Sequence, residues 1–171
     1  MRNLMTSCAI AGVMALGVPA VALAQNRPVQ GGDNHTVLVG AGVTFLNVSE
    51  STGFGVAGNA LFNTLKTTGN GRIGIVADLG LNHFDGGTVT TIMGGARYTF
   101  TTSGKVVPYG QFLVGFVHCC GDTDFDPNIG FGVDVAWRPN LNFRGEISFI
   151  LADPDATRFF FGVSLPINKK K

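Results

Sequence analysis

Asn128-Ile129-Gly130-Phe131-Gly132-Val133-Asp134-Val135-Ala136-Trp137-Arg138 is the stretch on which the fold turns. Ile129, Phe131, Val133, Val135 and Trp137 alternate with Asn128, Gly130, Gly132, Asp134, Ala136 and Arg138. Alternation at period two places the first set on one side of an extended chain and the second on the other. One face is therefore wholly apolar and the other small or polar. The eleven residues match the length with which a tilted strand crosses a bilayer.

The same pattern extends in both directions from this stretch. Downstream, Leu141, Phe143, Ile147, Phe149 and Leu151 oppose Asn142, Arg144, Glu146 and Ser148, and Phe159, Phe161, Val163, Leu165 and Ile167 oppose Arg158, Gly162, Ser164 and Asn168. Upstream, Ile73, Ile75, Ala77, Leu79 and Leu81 oppose Arg72, Gly74, Asp78 and Asn82, and Ile92, Ala96, Tyr98 and Phe100 oppose Gly95, Arg97 and Thr99. Residues 35–46, 52–66 and 106–118 carry apolar side chains on both faces. Their Val, Phe and Thr content and their lack of helix caps still favour strands. No segment has the start, apolar stripe and stop of a helix.

The connections decide the topology. Thr68-Gly69-Asn70-Gly71, Asp85-Gly86-Gly87, Thr102-Ser103-Gly104-Lys105, Arg138-Pro139-Asn140 and Asp153-Pro154-Asp155 are made of turn residues. They are too short for the crossovers that parallel strands require. The expected fold is all-β, an eight-stranded antiparallel up-and-down transmembrane β-barrel over residues 35–168. Lipid tolerates a sheet only when it is closed, because an open edge leaves backbone groups unpaired.

Composition agrees with a surface that does not face water. Charged residues are 13% of the chain, against about 25% in soluble domains. The net charge of +1 supplies no field for nucleic acid, so that class is set aside. Arg2, the apolar run from Cys8 to Val21 and Ala22-Leu23-Ala24 before Gln25 read as a cleaved secretory signal over residues 1–24, with 25–34 a flexible lead-in. Cleavage would leave 147 of the 171 residues and only the neighbouring Cys119 and Cys120, too few for a disulfide framework.

Eight strands enclose a lumen that side chains fill. Asp78, Asp134 and Glu146 share the polar face with Arg97 and Arg144, which predicts a lumen charge network of roughly balanced sign, since buried charges persist only when paired. Trp137, Tyr98, Tyr109 and Phe100 lie near strand ends and are expected in an interfacial aromatic girdle.

Residues 94–100 (GGARYTF) and 107–115 (VPYGQFLVG) together resemble the "G-x-R-Y-x-F … P-Y-x-x-x-x-x-G" passage of the bacterial outer-membrane β-barrel domain family, the small OmpX/OmpA-like barrels. Residues 141–146 (LNFRGE) and 159–165 (FFFGVSL) resemble its closing hairpin. The resemblance implies a Gram-negative outer membrane, partners in outer-membrane lipid and lipopolysaccharide, and insertion by the barrel-assembly machinery. Members usually end on an aromatic residue, whereas this chain ends Ile167-Asn168-Lys169-Lys170-Lys171. Phe159, Phe161 and Leu165 are the residues left for that recognition.

Other chemistry finds little footing in the sequence. His118 to Asn128 reads as an external loop whose Asp122, Asp124, Asp126 and Asn128 imitate the opening of a calcium loop, without the closing Glu. His118, Cys119 and Cys120 are too few for zinc. His83, His118, Asp85, Asp122, Ser49 and Ser51 offer no nucleophile in its usual context. The chain is accordingly read as non-enzymatic, with no cofactor and no metal. The alternative is a secreted soluble barrel resembling lipocalins or avidin, with an apolar lumen for a small ligand and a charged exterior.

Overall fold

The computed structural model describes residues 36–49, 51–66, 71–138 and 140–168. The signal and lead-in expected before residue 35, and the lysine tail, lie outside the described residues. Eight strands follow one another: β1 (Thr36–Val48), β2 (Ser51–Lys66), β3 (Gly71–Phe84), β4 (Gly87–Phe100), β5 (Val106–Cys119), β6 (Asp122–Arg138), β7 (Leu141–Ile150) and β8 (Ala156–Asn168). Each pairs antiparallel with the next, and β8 pairs with β1 to close the barrel. The up-and-down order predicted from the short turns is the order found.

The alternation sorts side chains as period two dictates. Phe54, Ile75, Leu79, Leu81, Ile92, Phe112, Phe131, Phe161 and Ile167 are exposed on the outer wall. Arg97, Arg144, Arg158, Asp78, Asp134 and Glu146 are buried inside it. The three strands with two apolar faces have a physical reason for that pattern. Leu46 of β1, Leu61 of β2 and Leu113 of β5 point inward and join Val89, Met93, Ile150 and Ala156 in an apolar cluster within the lumen. The lumen is thus filled by apolar and charged residues together.

Four hairpins, β1–β2, β3–β4, β5–β6 and β7–β8, turn at one rim, and the start of β1 and the end of β8 lie at the other. Hairpins β3–β4 and β5–β6 are tight. Phe84 pairs with Gly87 across Asp85-Gly86, and Cys119 pairs with Asp122 across Cys120-Gly121. This corrects the loop expected from His118 to Asn128: Asp122 to Pro127 are strand, paired with β5. Two local causes favour pairing. Cys120 and Gly121 have φ of 56° and 96°, as a two-residue type I′ turn requires, and Phe125 meets Phe116 edge-on at 5.4 Å across the ribbon.

That ribbon outgrows its neighbours. Pairing between β6 and β7 begins only at Asn128 with Ile150, with one further bond from Leu151 N–H to the Pro127 carbonyl. From Asp122 to Asp126, β6 is paired on its β5 side, and residues 122–125 are exposed. Three carboxylates spaced two residues apart along an extended strand are separated by about 7 Å per step. They cannot curl around one ion as a calcium loop does, so the alternation reflects the strand period.

Candidate functional site

The chemistry of this chain is concentrated in the lumen. Asp134 on β6 and Arg144 on β7 are cross-strand partners. Arg144 donates from Nε to Asp134 Oδ1 at 2.7 Å and from Nη2 to Oδ2 at 2.8 Å, a bidentate pairing of two planar groups. Its Nη1 donates to Asn59 Oδ1 on β2 at 2.5 Å, across the barrel. Ser164 Oγ lies 3.4 Å from Asp134 Oδ1.

Glu146, two residues on from Arg144 and so on the same inward face, is the centre of a second group. Tyr109 OH donates to its Oε2 at 2.7 Å and Gln111 Nε2 to its Oε1 at 2.8 Å. Arg97 donates from Nε and Nη2 to Gln111 Oε1 at 3.0 and 2.6 Å and stands 3.7 Å from Glu146. The Arg97 guanidinium also lies 4.0 Å from the Tyr109 ring centroid, within cation–π range. Gly130 and Gly132 of β6 make room for Gln111 and Tyr109, since a Cβ at either would collide with those side chains.

The third group joins Arg158 of β8 to Asp78 of β3, with Nη1 donating to Oδ1 at 2.7 Å. Its Nη2 stands 3.6 Å from Glu146 Oε1, which links this group to the second. Nearby, Thr44 donates to Asn82 at 2.6 Å.

The five residues predicted for the lumen, Asp78, Arg97, Asp134, Arg144 and Glu146, are all buried there. Besides Asn59 and Ser164, three residues join them beyond that set. Arg158 supplies the third cation, so three guanidiniums face three carboxylates. Tyr109 was expected in the aromatic girdle, but it is 2% exposed and hydrogen-bonded inside. Its strand phase is the reason: Phe112 and Val114 face outward, which turns Tyr109, Gln111 and Leu113 inward. Gln111 bridges Arg97 and Glu146. Trp137 and Phe100 do stand exposed at the chain-end rim, with Trp137 edge-on to Phe143 at 5.7 Å and Phe100 to Tyr98 at 4.9 Å.

The two described histidines bond threonines. His83 bonds Thr88 at 3.2 Å and His118 bonds Thr123 at 2.8 Å, each across its own hairpin. Among the described residues, no group of three His, Cys, Asp or Glu side chains is placed to hold a metal.

Arg, Tyr and carboxylates packed this tightly hold one another in place. Tyr109→Phe should therefore act on stability, since it removes one of the hydrogen bonds to a buried carboxylate. The expected loss is about 1–3 kcal/mol, read as a lower denaturant midpoint in detergent, with the folded barrel still formed.

No protein-family model matches the chain and no curated relative does. Solved structures do. The Neisserial surface protein A superposes with a TM-score of 0.55 at 16% identity, covering 76% of this chain and 95% of that one. A de novo designed transmembrane β-barrel superposes with a TM-score of 0.56 at 15% identity, covering 80% and 98%. The fold is that of the small transmembrane β-barrels. Ail, the attachment invasion locus protein of Yersinia pestis, shares that barrel with a TM-score of 0.53 at 11% identity, covering 78% and 99%. Its structure was solved in complex with the heparin analogue sucrose octasulfate.

Proposed function

We propose that this chain is a non-enzymatic barrel of the Gram-negative outer membrane, with a structural or interaction role and a charge-filled, narrow lumen. One observation carries the reading, the inversion of polarity across the wall. Phe54, Ile75, Leu79, Phe112 and Phe131 are each more than half exposed, while three arginines and three carboxylates are buried. Water would reward the opposite arrangement, and lipid rewards this one. A soluble lipocalin- or avidin-like barrel needs an apolar cavity, and here Arg97, Arg144 and Arg158 stand where its ligand would sit.

On this reading, outer-membrane lipid and lipopolysaccharide surround the wall, the N-terminal apolar run directs export, and the barrel-assembly machinery inserts the chain through Phe159, Phe161 and Leu165 of β8. The hairpins face outward, two of them closed across Asp85-Gly86 and Cys120-Gly121, and give the protein little external reach. Binding of a polyanion, as in the Ail complex, is not carried over. Among the described residues, the exposed charges at the hairpin rim are Asp85, Asp122, Asp124, Asp153 and Asp155, and the one arginine there, Arg158, is buried.

The test is fractionation of cells expressing the full sequence. Recovery in the outer membrane, with a band whose gel mobility changes on heating, is the expected result. Recovery as a soluble periplasmic or secreted protein would overturn the proposal.

A further inference from the structure

The tip of the β5–β6 ribbon holds a feature that the lumen and the wall do not use. Cys119 ends β5 and Cys120 occupies the first turn position, with both thiols free and their sulfurs 3.0 Å apart. Cys120 has φ of 56°, in a turn position that ordinarily takes Asn, Asp or Gly. A non-glycine residue held in the left-handed region is a reason to look for function. Gly87 of the neighbouring β3–β4 hairpin lies beside Cys120 Sγ, close enough that a Cβ there would come into ordinary contact with the sulfur at 3.7 Å.

The geometry points to a two-sulfur chelating site for trivalent arsenicals, formed by Cys119 and Cys120. Three arguments select this ligand class. A disulfide is disfavoured, because adjacent Cα atoms are about 3.8 Å apart, short of the roughly 4.4–6.8 Å that a relaxed disulfide spans, so the bond is readily reduced. A metal ion with a closed ligand shell finds no third ligand, since no metal-binding group of three stands among the described residues and His118 is engaged with Thr123. The bite agrees with this choice. With sulfur bonds of about 2.3 Å, sulfurs 3.0 Å apart subtend roughly 80°, whereas a tetrahedral centre wants them about 3.8 Å apart and a linear one about 4.6 Å. Pyramidal trivalent arsenic, whose bonds lie near right angles, fits the acute bite and brings its own third substituent.

The step needs no oxidant. An arsenoso compound, R–As=O, takes one proton from each thiol, two arsenic–sulfur bonds form, the arsenic–oxygen bond is broken and one water leaves. Arsenic stays trivalent throughout. The hydrogen bond with Cys120, then burial and the nearby Asp122, hold the Cys119 thiol above its usual range.

The test uses phenylarsine oxide on the detergent-solubilised full chain carrying C8S, so that Cys119 and Cys120 alone report. One equivalent should block both thiols toward a thiol-reactive dye. Release should follow 2,3-dimercaptopropanol and not an equal concentration of a monothiol. C119S and C120S should each weaken retention by about 10²–10⁴-fold, the loss expected when a two-point attachment becomes one, while the heat-dependent gel shift is kept. A requirement for two equivalents, equal release by a monothiol, or a pair that air leaves unreactive until reduced would each overturn the inference.

Discussion

Arg144→Ala is expected to lower the stability of the barrel by about 3–5 kcal/mol, the cost of leaving a buried charge without its partner. Asp134 is 8% exposed and receives two hydrogen bonds from that one guanidinium. The third donor of Arg144 holds Asn59, so truncation strips two polar groups on opposite sides of the lumen. Guanidinium-induced unfolding in detergent, followed by tryptophan fluorescence of Trp137, reads the loss as a shift in midpoint. A companion variant, Arg144→Met with Asp134→Leu, separates pairing from polarity. Replacing both charges with apolar groups of similar volume is expected to be near neutral or stabilising. An Arg144→Ala protein that unfolds with its parent would show that the pair holds nothing together.

Leu79→Arg is expected to cost about 2–4 kcal/mol in a bilayer, as a cation near the midplane of a barrel's lipid face does. Leu79 lies in the middle of β3 and is 57% exposed. In a water-soluble barrel the same substitution at so exposed a position would be nearly free. The depth dependence sharpens the test. Trp137, 66% exposed and one residue from the end of β6, should accept arginine at about 0–1 kcal/mol, because the interface solvates it. Folding of both variants into vesicles, compared with detergent, measures the contrast. Equal costs at the two positions would remove the lipid from the explanation.

How far the fold was legible follows from the same alternation. Residues 128–138 announced their two faces because bulky and small side chains alternate without a break, and the short turns then allowed only a meander. Ribbon length was less legible. Asp122, Asp124, Asp126 and Pro127 look like loop composition, yet Cys120-Gly121 closes a two-residue turn and Phe125 packs on Phe116. In the lumen, Asp78, Arg97, Asp134, Arg144 and Glu146 could be read from phase alone. Arg158 shares the phase of Ser164, so its signal was present, and it was the missing cation that balances the three carboxylates. Tyr109 was obscured by its nearness to a turn, which suggests the interface, although Gln111 and Leu113 share its inward phase. Which arginine meets which acid depends on the register between strands, and register is not written within any one of them.

A barrel is the sheet that has no side to offer, and the β5–β6 ribbon is where this one breaks that rule. Five residues of β6 rise past β7, leaving a short stretch of main chain able to receive a foreign strand. The sequence there is a deterrent. Asp122, Asp124 and Asp126 would set like charge against like if two copies met along it, and Pro127 has no N–H to give at its base. Two copies meeting along this edge would thus repel each other, and the acids that resemble a binding loop act against such a pairing.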